Sequence, residues 1–378
     1  MSIFENIDQN NEDPPREDET AFAYLNRSNR IEAARVRALV DHWLDNYPAQ
    51  HRNALVARFR SGSDPDHLSA FFELFLHELV LRCGHRVVAI EPSLDHTPSS
   101  PDFLIESNDG SRFYFEGTLA TGRSQQERGE QARLNQALAA IDAVPCPAHF
   151  LDLEIRNNPT APITIRRMTR ELRAWIGRLP EGESAPDAAP FTYQEHGAQI
   201  VIRAWPRQNR HEADRSIGVR SFGATTITPD DDIRAALKRK ASKYGCLDHP
   251  YVVAVNALGV FQHEGNCIDA LLGSERVVVR PMPNGERVGE ISRNPDGIWN
   301  GPRGAQNRRI SAVFSTERID PWNFAQRHAR LMRNPWAVRE LPPVSLRVDE
   351  LNPDGGRFRR TNGDSLASIF ELTDQWPG

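Results

Sequence analysis

Residues 101–120 read PDFLIESNDGSRFYFEGTLA, and this stretch limits the fold more than any other in the chain. Two apolar runs flank Asn108-Asp109-Gly110, a turn signal that joins antiparallel strands. Side-chain alternation places Phe113 and Phe115 on one face of the second strand and Tyr114, Glu116 and Thr118 on the other. Asp102 opens the first run and Glu116 lies near the end of the second, so the tight turn brings the two acids onto adjacent strands. Carboxylates held this way suit one hard divalent cation, Mg²⁺ or Mn²⁺, which polarises a phosphate oxygen. The plainer alternative is a pair of ordinary solvent-facing acids.

The flanking segments place the hairpin in an α/β region. Upstream, LSAFFELFLHELVLRC has helical length and ends at Gly84, a natural C-cap, and RVVAI follows as a strand. SGSDPDH supplies Ser and Asp residues able to cap that helix. Downstream, SQQERGEQARLNQALAAIDA reads as a helix and HFLDLEIRN as a strand. Residues 68–157 are thus expected to run helix, three strands, helix, strand in one sheet. Residues 21–66 form an N-terminal helical segment, broken at Pro48. Residues 67–180 hold the core, 180–190 a linker or long surface loop, and 191–378 a C-terminal α/β region of unknown role.

The first twenty residues carry seven acids against Arg16, a net of -6 out of the chain's -5, so the remainder is close to neutral. They read as a disordered acidic tail and as no signal peptide. A neutral body with basic stretches permits nucleic-acid binding without demanding it. No apolar run approaches the roughly 18 residues of a membrane helix. Cys83, Cys146, Cys246 and Cys267 are widely spaced, which suits buried thiols in a reducing cytoplasm.

Several chemistries are excluded. There is no GxxxxGK[ST] phosphate loop, no GxGxxG after a strand, no GxSxG elbow and no HExxH. Among the 46 basic residues only Lys238, Lys240 and Lys243 are lysines, all within ALKRKASKYG. In a chain this rich in arginine, surviving lysines mark places where a compact ammonium is needed, or a solvated helix face.

The hairpin with its flanking elements resembles the PD-(D/E)XK, or restriction-endonuclease-like, nuclease superfamily, with a core similar to the Mrr-like branch. Pro101-Asp102 matches the first half-motif and Glu116-Gly117-Thr118 the second, with threonine where the family carries lysine. The helix segment FFELFLHELVLRCG is similar to the first helix of that branch, so Glu73 matches the acid that supports the metal, with Glu78 as the alternative. The resemblance implies a mixed sheet flanked by helices. It also implies a Mg²⁺ or Mn²⁺ ion held by Asp102, Glu116 and the backbone of Gly117, with Glu73 behind it. The missing cation is expected from Lys240 or Lys243 on a helix laid beside the sheet, where Lys240 and Tyr244 stand four residues apart. Arg123 is another candidate, and Thr118 keeps only a hydroxyl.

The implied function is metal-dependent phosphodiester hydrolysis, with DNA as the expected nucleic acid. The implied setting is bacterial restriction or antiviral defence, acting alone or with a partner protein. The alternative is a catalytically silent nuclease fold that binds nucleic acid or scaffolds a complex. Contacts to nucleic acid are expected from Arg166, Arg167, Arg170, Arg173 and Arg178, and from Arg207, Arg210, Arg215 and Arg220. Trp175 and Trp205 could stack on bases, though core packing is the plainer role.

Overall fold

The computed structural model describes residues 1–5, 11–16, 19–121, 125–180, 188–206, 217–221, 229–259, 264–281, 287–354 and 357–378. Helices α1 (Ala21–Arg27), α2 (Ile31–Asn46), α3 (Ala49–Phe59) and α4 (Asp64–Arg82) come first. Ser63 caps α4 by accepting the Asp66 N–H, with Asp64, Pro65 and Asp66 in the first turn. At its other end Gly84 takes φ +78°, and the N–H groups of Gly84 and His85 bond back to the carbonyls of Leu81 and Val80. This double closure satisfies the last helical carbonyls, and the left-handed residue favours glycine.

Strands β1 (Arg86–Ile90), β2 (Phe103–Glu106) and β3 (Arg112–Ala120) form an antiparallel meander. Gly110, at φ +82°, turns the chain between β2 and β3. Phe103 faces Phe115 across the pair, and both are buried with Phe71, Phe72 and Phe75 of α4. Burying each such ring is worth roughly 1.5–3 kcal/mol, so the aromatic face of the hairpin fixes its register against α4.

The chain then enters a second compact unit. Contacts divide the protein into one unit of Met1–Asp13, Thr20–Gly122 and Ile227–Gly378 and another of Pro14–Glu19 and Arg123–Thr226. The second unit contains α5 (Gln125–Asp142), β4 (His149–Asn157), α6 (Ile165–Ile176), β5 (Phe191–Glu195), β6 (Ala198–Pro206) and β7 (Ile217–Ser221). Its sheet runs β5-β6-β4-β7, and Leu151, Leu153, Ile155, Ile200 and Ile202 pack with Leu138, Ile141, Met168 and Leu172 of the helices.

The first unit resumes with α7 (Pro229–Ala241), β8 (Tyr251–Ala257), α8 (Glu264–Leu272), β9 (Glu275–Pro281) and β10 (Arg287–Arg293). The short β11 (Asn300–Gly301) and β12 (Gly304–Ala305) follow, then β13 (Ala312–Glu317), β14 (Ala329–Arg333), β15 (Asp349–Asp354), β16 (Arg357–Thr361) and α9 (Leu366–Ile369). Its mixed sheet runs β1-β2-β3-β8-β13-β14-β15-β16, with β8 parallel to both β3 and β13. All seven residues of β8 are buried, as expected for a central parallel strand covered on both faces. One face packs on α4; the other packs on α7 through Ile233, Ala236 and Leu237, and on Tyr244 just beyond it. Asp230, Asp231 and Asp232 lie in the first turn of α7 and Lys238, Arg239 and Lys240 in the last, matching the helix dipole. The protein is therefore mixed α/β with a large mixed sheet flanked by helices. Among the described residues no helix is long and apolar enough to cross a membrane.

Four expectations are corrected. Residues 67–180 are not one core: α5 and β4 have the forecast lengths, yet β4 pairs with β6 and β7 in the second unit, and β8 takes the place beside β3. The region 191–378 is likewise divided, since 191–226 belongs to the second unit and the rest to the first, where β8 and β13 to β16 extend the main sheet. Finally, the acidic tail is not wholly loose. Ile3 and Phe4 are buried, the Ile3 N–H donates to Asp41 at 2.7 Å, and Phe4 stacks on Phe22. Two apolar residues anchor the start of a segment whose average composition is acidic. Of the four free cysteines, Cys246 is exposed rather than buried.

Candidate active site

Asp102 immediately precedes β2, and the β2–β3 register carries it opposite Glu116. Glu116 is fully buried (0% exposed), and one of its oxygens accepts the Asp102 N–H at 3.0 Å. Asp102 in turn accepts the Gly117 N–H on Oδ2 at 2.7 Å. The two acids thus grip each other's backbone across the strand pair. A Cβ on Gly117 would lie 3.2 Å from Leu76 Cδ1 and 3.4 Å from both Asp102 Oδ2 and Phe72 Cδ1. Glycine is what lets the carboxylate and α4 approach the strand so closely. Burial, then Glu116, then Glu73 raise the Asp102 pKa to about 8, against the pull of Lys240 and the Gly117 N–H. The other oxygen of Asp102 receives no hydrogen bond from the described residues.

The lysines reach this point from α7. Lys240 lies in the last helical turn, and its ammonium contacts Glu116 Oε1 directly. Lys243, in the turn just beyond, lies 3.3 Å from the same oxygen and 4.7 Å from the Tyr244 ring centroid. Lys238 is exposed and makes no ion pair among the described residues. Tyr244 is buried, and its hydroxyl donates to the Ser100 carbonyl at 2.8 Å. This tie joins the end of α7 to the loop before Asp102. Burial and the neighbouring Glu116 push the Tyr244 pKa upward.

Of the two candidate acids on α4, Glu73 is the one near the pair. It adds to the field that raises Asp102, and its oxygens are held by the Tyr47 hydroxyl at 2.6 Å and Arg58 Nη2 at 2.6 Å. Glu78 is buried elsewhere, bonded to Arg82 at 2.9 Å and Asn46 at 3.0 Å. Tyr47 and Arg58 were not singled out by sequence. Neither belongs to a motif; the one local signal is Pro48, which ends α2 beside Tyr47 and starts α3.

Thr118 lies opposite Val255 of β8 and shares the Glu116 face by alternation. Arg123 lies outside the described residues, as do Arg207, Arg210, Arg215 and the side chain of Arg220. On α6 of the second unit, Arg166, Arg170 and Arg173 are exposed, with Arg178 beyond it, while Arg167 is engaged by Glu195 and Glu171. Trp175 is a core residue, whereas Trp205 is 45% exposed.

Among the described residues, no three His, Cys, Asp or Glu side chains converge into a preformed metal cage. The donors fit Mg²⁺ or Mn²⁺ in another way, through one or two hard carboxylate oxygens with water and phosphate completing the shell. An acid pushed up by burial and then by two neighbouring carboxylates is one that a divalent cation would return to its charged form. Comparison with family models, with curated proteins and with solved structures finds no match.

Proposed function

We propose that the chain is a metal-dependent nuclease with a restriction-endonuclease-like core. The core would be α4, β1, β2, β3, α7 and β8, with residues 123–226 inserted between β3 and α7. That order is the helix, three strands, helix, strand of the PD-(D/E)XK nucleases once the insertion is set aside. The observation that carries the reading is the contact of Lys240 with Glu116, directly across from Asp102. In the family pattern the ammonium comes from the residue two after the glutamate. Here that residue is Thr118, and a lysine from α7 arrives at the same carboxylate.

Asp102 and Glu116 would hold the ion through carboxylate oxygens. Such an ion supplies Lewis-acid polarisation of a phosphate oxygen. Lys240, only 18% exposed, is aimed by Glu116 and stands ready to steady charge on a phosphate or orient water beside it. Glu73 is kept near but tied to Arg58 and Tyr47. The nucleic acid is DNA, in bacterial restriction or phage defence, with a partner protein as a further component. The four free cysteines suit a reducing cytoplasm.

The alternative is a silent module in which two lysines merely neutralise a buried glutamate. Threonine at position 118, where the family motif carries its lysine, is the feature that favours it. Incubating plasmid, duplex and single-stranded DNA and RNA with Mg²⁺, Mn²⁺ or EDTA separates the two. The nuclease reading expects metal-dependent cleavage lost in Asp102→Asn; wild-type protein inert on every substrate favours the silent module.

A further inference from the structure

Glu73 is the acid that the family resemblance would assign to the metal, yet its immediate partners are cationic and phenolic. Tyr47 and Arg58 occupy one oxygen each. Phe72 and Leu76, which flank it on α4, are the side chains that a Cβ on Gly117 would meet together with Asp102 Oδ2. That turn of α4 therefore borders the Asp102 carboxylate, and it brings Arg58 with it from α3. The Arg58 side chain is 41% exposed, and Glu73 is its only ion-pair partner among the described residues. A guanidinium carries five donor hydrogens in a planar fork, so a single carboxylate contact leaves most of them available. Tyr47, by contrast, is buried and fixed.

We propose that Arg58 is a phosphate-binding residue of this site and that Glu73 and Tyr47 are positioning residues that aim it. The inference rests on the nuclease reading and refines it. On this view the α4 acid does not join the ion. Instead it holds a second cation on the α3–α4 side of Asp102, while Lys240 serves the α7 side. The ligand class is a phosphodiester, whose two non-bridging anionic oxygens a planar guanidinium engages as a pair and an ammonium meets only singly. Against the cost of burial, the charge and hydrogen bond of Glu73 raise the Arg58 pKa. The N-terminal helices α2 and α3 thereby become part of the substrate-binding surface rather than a structural cover.

The test uses full-length protein and a duplex oligonucleotide, with binding measured in Ca²⁺ at several salt concentrations and turnover measured in Mg²⁺. Each phosphate contact contributes about 0.9 to the slope of log affinity against log salt. Arg58→Gln is expected to lower that slope by about one contact and to cut turnover roughly 100-fold, in the range found for a lost charge-stabilising donor. Arg58→Lys should keep the slope and lose most of the turnover. Tyr47→Phe should raise KM or lower kcat without changing the slope. A purely structural ion pair would instead lower the melting temperature and leave slope and turnover per folded molecule unchanged, which overturns the inference. If wild type binds with a slope that falls in Arg58→Gln but cleaves nothing, the nuclease reading fails and the phosphate contact stands. If wild type neither binds nor cleaves, both fail.

Discussion

Replacing Lys240 with Met keeps a long stem and helix propensity but deletes the charge. The structure sets the size of the effect. Glu116 is fully buried, and its Oε1 faces two ammoniums: Lys240 in direct contact and the 39%-exposed Lys243 at 3.3 Å. Stripping a buried ion of its only partner costs ~3–5 kcal/mol. Lys243 and the Asp102 N–H remain in place, so the expected loss in EDTA is about 2 kcal/mol. For a unit of this size that lowers the melting temperature by ~5 °C. Mg²⁺ should recover part of the loss, because the cation replaces the missing charge. Turnover on DNA in Mg²⁺ should fall by ~100-fold or more, while affinity in Ca²⁺ changes little, since one contact among many is removed. Lys240→Arg should also fail, because a forked guanidinium is a poor substitute for a compact ammonium. The assays are thermal melts with and without Mg²⁺ and single-turnover cleavage at saturating enzyme. Wild-type turnover in Lys240→Met, or an equal loss of stability with and without Mg²⁺, would refute the reasoning.

Asp102 holds a proton in the folded protein up to about pH 8 that the unfolded chain releases near 4, so metal-free stability must fall as pH rises through that window. Asp102→Asn should therefore be more stable than wild type in EDTA at pH 8.5, by on the order of 2 kcal/mol, and no more stable at pH 4.5; denaturant melts at both pH values check this. His77, buried against Tyr47 and Phe103, is pushed down to about 4, so stability is lost as pH drops from 6.5 towards 4. His77→Phe should flatten that acid limb, which reaches about 3 kcal/mol in wild type. Gly117→Ala puts a methyl 3.2 Å from Leu76 and 3.4 Å from Asp102, and should cost about 1 kcal/mol and weaken Mn²⁺ binding measurably by calorimetry.

Local chemistry made the centre of the molecule legible. The Asn-Asp-Gly turn, the glycine ending α4 and the alternating phenylalanines specify a hairpin packed on a helix, and the scarcity of lysine drew attention to Lys240. What sequence could not reveal was pairing at a distance. Strand β4 has the length and pattern of a core strand, and only its partners β6 and β7 exclude it from the main sheet. Nothing in periodicity announces that a chain will leave the main sheet after Ala120 and return to it at Tyr251. Arg58 and Tyr47 were invisible for the same reason: each is ordinary in its own helix, and their role comes from Glu73 on the next one.

A single divalent ion shared by Asp102 and Glu116 is the claim on which the account depends. Titrating Mn²⁺ into the metal-free protein at pH 7.5, followed by calorimetry and by the loss of the free-ion resonance signal, measures it directly. The account predicts saturable binding in the wild type that is abolished in Asp102→Asn and in Glu116→Gln, with proton release as Asp102 ionises. Binding that survives both substitutions, or no binding in the wild type even with DNA present, would contradict it.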